Sequence, residues 1–274
     1  MPCCEKDARC QQGVALITAL FVVVLATMAA VSMVSRQHLD IRRTSNLLGQ
    51  EQTYFISLAA ERYALKYLAE TDIEDLPWDG CISPPIPVTL DQVRTEIWVE
   101  DMHCRFNLNA LAGEDKEAEK GFVRLLEVLR SGNPEASFDP EQIVVAVRDW
   151  MDPETDDPVY QRNEPPYLSA NQRMLLPSEL RWVRGVDTAL WRLLTPYVTA
   201  LPESDAPMRV GEFSDTEIRD AFSDNDTGRE AVHYYRLNVH AELDNRTFML
   251  CALLDTKARE VVWRKHSACE TIGQ

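Results

Sequence analysis

Between Arg9 and Arg36 the chain carries no charge, and after Gly13 it reads VALITALFVVVLATMAAVSMVS as far as Ser35. About 20 consecutive apolar residues are enough to span the ~30 Å hydrocarbon core of a bilayer, and no other stretch of the 274 residues is apolar for so long. Residues 14–35 are therefore expected to form the one membrane-spanning helix, with everything after them folding as a body carried at its C-terminal end. A cleaved secretory signal fits less well. Its apolar core usually runs ~7–15 residues, whereas here the helical pattern continues without a turn residue until Gly49. A polar leader, MPCCEKDARCQQG, ends in glycine where the apolar run begins. A cut at that glycine would remove the leader and keep the helix.

Apolar content, 45%, is ordinary for a globular protein, but the formal charge is −16. A surface of that sign does not neutralise phosphates, which sets nucleic-acid binding aside. Glu5, Lys6, Asp7 and Arg9 cancel within the leader, and Arg36, Arg42 and Arg43 follow the apolar run. The positive-inside rule therefore does not place the N-terminus in the cytoplasm. Of seven cysteines, Cys3, Cys4 and Cys10 belong to the leader, leaving Cys81, Cys104, Cys251 and Cys269, none in a CxxC spacing. Four thiols in an oxidising compartment allow three pairings. Cys104 and Cys251 fall within expected strands and read equally well as buried free thiols.

Past the membrane segment the helical pattern runs to Glu70. Phe55, Ala59, Tyr63 and Tyr67 recur every fourth residue beside Ile56, Ala60, Ala64 and Leu68, which predicts one broad apolar face for a sheet to cover. Pro77, Gly80, Pro84, Pro85 and Pro87 end the helix. Thr95, Ile97 and Val99 then alternate with Glu96 and Trp98, and with Cys104–Leu108 they suggest a first hairpin. From Gly113 the character changes: GEDKEAEKGFVRLLEVLRSG is a helix with Phe122, Leu125, Leu126 and Leu129 on one face, closed by Gly132. Further helical patterns lie at 140–151, 177–184 and 187–194. Strands return at the end, where Tyr235, Leu237, Val239, Ala241 and Leu243 alternate with polar residues up to the turn signal Asp244–Asn245. Phe248, Leu250 and Ala252 mark the return strand, and 259–264 a third. Long helix, strands, helical insertion, strands is an α+β order, with an antiparallel sheet packed on the long helix and split by an all-helical insertion.

The glycine-ended leader resembles the class III signal of type IV pilins and pseudopilins. The interior blocks resemble one family in particular, the K-class minor pseudopilins of type II secretion systems (general secretion pathway protein K). The blocks are SRQHLDIRRT (35–44), RFNLNAL (105–111), DWMD (149–152), PPY with AN (165–167, 170–171), SEL with VRG (178–180, 183–185) and PYVTALP (196–202). The resemblance implies a partition into a prepilin leader 1–13, a transmembrane helix 14–35 and a periplasmic stem 36–70. A pilin-like α/β domain in two parts, 71–112 and 203–274, would then flank a helical insertion domain 113–202. It also implies cleavage by prepilin peptidase between Gly13 and Val14, and methylation of the new amino group on Val14. The family's fifth mature position, usually a glutamate in pilin-like proteins, is Thr18 here; lack of that acid is a K-class trait, and an unpaired carboxylate in lipid is costly. A subunit with no neighbour above it is better without one, which points to the filament tip.

The same resemblance implies partnership with I- and J-class minor pseudopilins, anchorage in the inner membrane with the C-terminal domain in the periplasm, and a role in initiating and capping the pseudopilus that exports folded proteins. It further implies calcium in the helical domain, for which the acidic loop offers Asp149, Asp152, Glu154, Asp156, Asp157 and Glu164. Clustered oxygens suit a cation taking ~6–8 of them, while the plain alternative is a solvated loop with Asp149 and Asp152 capping helices. The chain departs from the family in two places. The loop is short, only PETDDPVYQRNE, and 203–229 offers one short helical piece where a second helical lobe is usual. Catalysis has no support: the five histidines are scattered, and neither HExxH nor GxSxG occurs. No small-molecule substrate is expected. The rival readings are a signal-anchored periplasmic binding module or enzyme whose leader is never cut, and a type IV pilus minor pilin.

Overall fold

The structure is a computed structural model that describes residues 7–71, 78–113, 115–154, 158–209, 216–222, 233–244 and 246–269, with backbone only for 7–14. It divides into two compact units, 1–54 and 55–274. Helix α1, Asp7–Glu70, supplies the first unit and opens the second. Within the first unit Leu16, Ile17, Phe21 and Val23 are all exposed. Among the described residues this is the one helix long and apolar enough to cross a membrane.

In the second unit, strands β1 (Ile86–Leu90), β2 (Val93–Asp101), β5 (Tyr234–Leu243), β6 (Arg246–Asp255) and β7 (Glu260–Lys265) form a five-stranded sheet in the order β1-β2-β5-β6-β7. Every neighbouring pair is antiparallel. Between β2 and β5 lie β3 (Phe106–Asn107), α2 (Lys116–Ser131), α3 (Pro140–Met151), α4 (Thr188–Leu194), β4 (Val198–Thr199) and α5 (Thr216–Ala221). The lobe is helical apart from the parallel β3–β4 pairing at its base. Its helices begin where aspartates can cap them: Asp115, Asp139 and Asp187 each accept backbone N–H bonds from the first turn. Pro140 supplies the N1 position of α3, where a missing N–H costs nothing.

The α+β order read from the sequence is the architecture found, but the first hairpin is a different one. Cys104–Leu108 does not return against β2. Instead β1, in the proline-rich segment, pairs with β2 through a two-residue turn in which Asp91 and Gln92 both have positive φ, 47° and 69°. Such a turn matches the right-handed twist of the strands, and Pro87 is tolerated because β1 is an edge strand.

One sheet face meets the second unit's part of α1. Ile97, Val99, Tyr235, Leu237, Val239, Leu250, Ala252 and Leu254 pack against Ala64, Leu65 and Leu68, and a fully buried aliphatic side chain of this kind contributes about 1.5–3 kcal/mol. The helix presents a narrower and rotated stripe than its periodicity suggested. Phe55 and Tyr63 point outward, 64% and 68% exposed, while Ser57 and Glu61 are fully buried. The cause is a charge: Glu61 receives two bonds from the guanidinium of Arg264 on β7, one of them 2.6 Å. A carboxylate buried without that partner would be prohibitive, so the pair sets the rotation of the helix. The lobe has its own larger core, built on Phe122, Leu125, Leu126, Ile143, Val147, Leu180, Leu194 and Phe222.

Candidate assembly site

At the junction of sheet and lobe the second sheet face is polar and yet buried. Glu100 on β2 accepts from Arg105 at 2.9 Å, from Arg236 on β5, and from the Asn238 amide at 3.0 Å. All four side chains are 6% exposed or less. Asp101, next along β2, pairs with Arg209 from the segment returning from the lobe. Burial, with Asp255 and Glu203 adding to it, raises the Tyr234 phenol above its ordinary value, and burial does the same for Tyr235.

The blocks between 105 and 202 that carried the resemblance hold this junction and the lobe together. In RFNLNAL, Arg105 reaches Glu100, and Phe106 stacks on Phe122 and Phe222 with ring centres 4.9 and 5.5 Å apart. The amide oxygen of Asn107 accepts from the backbone of Leu201 (2.9 Å) and Asn109 (3.2 Å), while its nitrogen donates to the Glu203 carbonyl at 2.7 Å. Asn109 donates to the carbonyls of Met174 and Leu201 and accepts from Met174 N–H. Two side-chain amides thus do what a strand would do, fastening the start of the lobe to PYVTALP at its end. Glu179 of SEL accepts from the N–H groups of Leu175 and Leu176. Gly185 of VRG sits at φ +85°, and a Cβ there would lie 2.9 Å from Ile143 Cδ1. Tyr167 of PPY donates to the Trp182 carbonyl, and Asn171 N–H donates to that of Trp150 in DWMD.

Gly13 and Val14 lie within α1. Thr18 satisfies its hydroxyl inside the helix, donating to the Ala15 carbonyl at 3.0 Å. Asp149 faces Arg184 at 3.8 Å, Asp152 accepts from Glu154 N–H at 2.9 Å, and Glu154 and Glu164 are exposed. Asp156 and Asp157 lie outside the described residues. Among the described residues no three His, Cys, Asp or Glu side chains come together as a metal site, so the described carboxylates alone do not make a calcium cage.

The four cysteines pair as Cys81–Cys104 and Cys251–Cys269, with Cα separations of 6.2 and 5.2 Å. This is one of the three pairings the composition allowed, and spacing alone gave no means of choosing it. On the exposed side of the stem, Tyr63 and Tyr67 stack with ring centres 6.0 Å apart, and Phe55 continues that aromatic row. The wide face expected from periodicity is therefore divided between the sheet and solvent.

A long helix with an apolar head, an antiparallel sheet and a helical lobe inserted between two neighbouring strands make up an α+β fold of the pilin-like class. The family model described as type II secretion system (T2SS), protein K, matches residues 104–203. Type II secretion system protein K of Aeromonas hydrophila is 32% identical over 223 residues, which cover 74% of this chain and 66% of that protein. The Pseudomonas aeruginosa protein of the same name is 33% identical over 227 residues, covering 75% and 66%. The chain belongs to the type II secretion system protein K family. Its match spans just under two thirds of the length of those two relatives. In fold it is similar to a chain in the crystal structure of the GspK–GspI–GspJ complex from enterotoxigenic Escherichia coli, with a TM-score of 0.70 at 20% identity over 83% of this chain and 100% of that one. The relatives are named as components of a secretion system.

Proposed function

We propose that this protein is a minor pseudopilin at the tip of the type II secretion pseudopilus, where it joins I- and J-class pseudopilins, starts assembly and caps the filament. Its leader is removed by prepilin peptidase between Gly13 and Val14, residues 14–35 anchor it in the inner membrane, and residues 55–274 work in the periplasm. The observation that carries this reading is the lobe inserted between β2 and β5, a side domain that obstructs stacking within a helical fibre but not at its end. The exposed aromatic row Phe55, Tyr63 and Tyr67 supports it as a surface for a neighbouring subunit's helix, and Thr18 in place of an acid suits a subunit with none above it.

The test is the mass of the N-terminal peptide from membrane fractions, made with and without active prepilin peptidase. A methylated Val14 that appears only with the peptidase is expected, together with co-purification of the I- and J-class subunits. An intact Met1, or a cut near Ser35, would sink the reading.

Calcium is a further proposal, with Asp149, Asp152, Glu154, Asp156, Asp157 and Glu164 as its candidate ligands. Thermal melts in EGTA and in millimolar calcium decide it. An upward shift with calcium of several degrees, lost in a D156N/D157N variant, is expected; superimposable melts remove the metal from the account.

A further inference from the structure

We propose that His103 is an acid-sensitive clasp, joining the point where the chain leaves the sheet for the helical lobe to the points where it returns. His103 lies in the short 3-10 turn after β2 and is fully buried. Its ring bonds to two other segments at once. Nδ1 donates to the Pro207 carbonyl at 2.7 Å, on the segment coming back from the lobe. Nε2 accepts from the backbone N–H groups of His233 at 3.2 Å and Tyr234 at 3.1 Å, at the start of β5. The His103 backbone adds a bond from Arg209 N–H to its carbonyl at 2.8 Å, and its own N–H is held by Asp101 at 2.9 Å.

Only one protonation state satisfies these partners. Two backbone N–H groups converge on Nε2, so that nitrogen must keep its lone pair, and the carbonyl at Nδ1 requires the proton there. A second proton would place an N–H against two N–H groups, exchanging two accepted bonds for a donor facing donors at a fully buried ring. The surrounding charges divide. Asp101 favours the cation, whereas Arg209 from the returning segment and His233 from β5, its ring centre 5.5 Å away, oppose it. Glu203 lies 3.4 Å behind His233, and Asp255 on β6 acts on Tyr234, which stacks over His103 at 5.8 Å. Loss of hydration is the largest effect, and the net shift is downward from the ordinary histidine value.

The sign follows from linkage. The unfolded or unclasped histidine takes its proton near pH 6.5, while the clasped one resists it until lower pH. The clasp's contribution is therefore complete above about pH 6.5 and is lost as pH falls through the lowered value, opening becoming about tenfold easier per pH unit within that window. Acid should thus free the returning segment and the start of β5 before the separate lobe core gives way.

Amide hydrogen exchange on the full chain in detergent, corrected for intrinsic rates and followed between pH 7.5 and 5, tests this. Peptides containing Arg209, His233 and Tyr234 are expected to keep their protection down to about pH 6.5 and to lose about tenfold per pH unit below it, while α2 and β6 keep theirs. His103→Gln keeps an acceptor near the Nε2 position and cannot titrate, so its protection should be flat across the range. Unchanged protection in the wild type, an equal loss throughout the second unit, or the wild-type slope persisting in H103Q would overturn the clasp. If H103Q does not fold, nitrogen NMR of the wild-type ring decides: a doubly protonated His103 coexisting with protected His233 and Tyr234 amides is fatal to it, and coincident loss supports it.

Discussion

Glu100→Ala is expected to lower stability by roughly 3–5 kcal/mol, the cost of removing one partner from a buried ion group and leaving the others uncompensated. Two guanidinium groups share this one carboxylate. Arg105 and Arg236 both donate to Glu100 Oε2, with Asn238 on Oε1, and both arginine side chains are buried. For a domain of this size each kcal/mol moves the melting temperature by about 2–4 °C, so a drop of roughly 10 °C should be read by circular dichroism. Attraction and desolvation nearly cancel in such groups, and the triple variant E100L/R105M/R236M should therefore recover much of what E100A loses. A loss below about 1 kcal/mol in E100A would show that water reaches this face of the sheet.

Removing a disulfide is the other large perturbation. Cys81–Cys104 closes a sequence separation of 23 residues and Cys251–Cys269 one of 18, and loss of a native bridge costs typically about 2–5 kcal/mol, in part by releasing unfolded-chain entropy. The C81S/C104S variant should be the weaker of the two. Its bridge ties the linker after α1 to the turn from which the lobe departs, beside the bonds from Asp101 N–H to the Cys81 carbonyl and from Ser83 N–H to that of Val99. Material made in a reducing compartment should melt like C81S/C104S/C251S/C269S, and oxidation should restore the difference. Equal melting with and without reductant would mean that packing alone closes these loops.

What could be read from the sequence was local. The β5–β6 hairpin follows from alternation and a two-residue turn signal, and α2, α3 and α4 follow from apolar spacing and aspartate caps. The insertion follows from the change of period at Gly113. What could not be read depends on partners far away in the chain. Glu61 looks like a solvent-facing helix residue until Arg264, 203 positions later, is placed beside it, and that pair turns the stem so that Tyr63 faces outward. Pro87 disguises β1 because a proline is acceptable in a strand only at an edge, and edges are a property of the finished sheet. The cysteine pairing and the polar junction around Glu100 are of the same kind. RFNLNAL and PYVTALP could be recognised as blocks, but their mutual bonding through Asn107 and Asn109 could not be inferred from either one alone.

The adjacency of β2 and β5 has a consequence for the order of folding. Roughly 130 residues separate Asp101 from its partner Tyr235, a loop whose closure costs about 3 kcal/mol more than that of a tight turn. While the second half of the sheet is still being made, β2 presents an unpaired edge to every other chain nearby. The lobe removes much of that exposure. Its core is built from its own helices, and β3–β4 together with the two asparagines bring its ends side by side. A lobe that folds first works as a splint, converting a distant strand pairing into a nearly local one before β5 arrives.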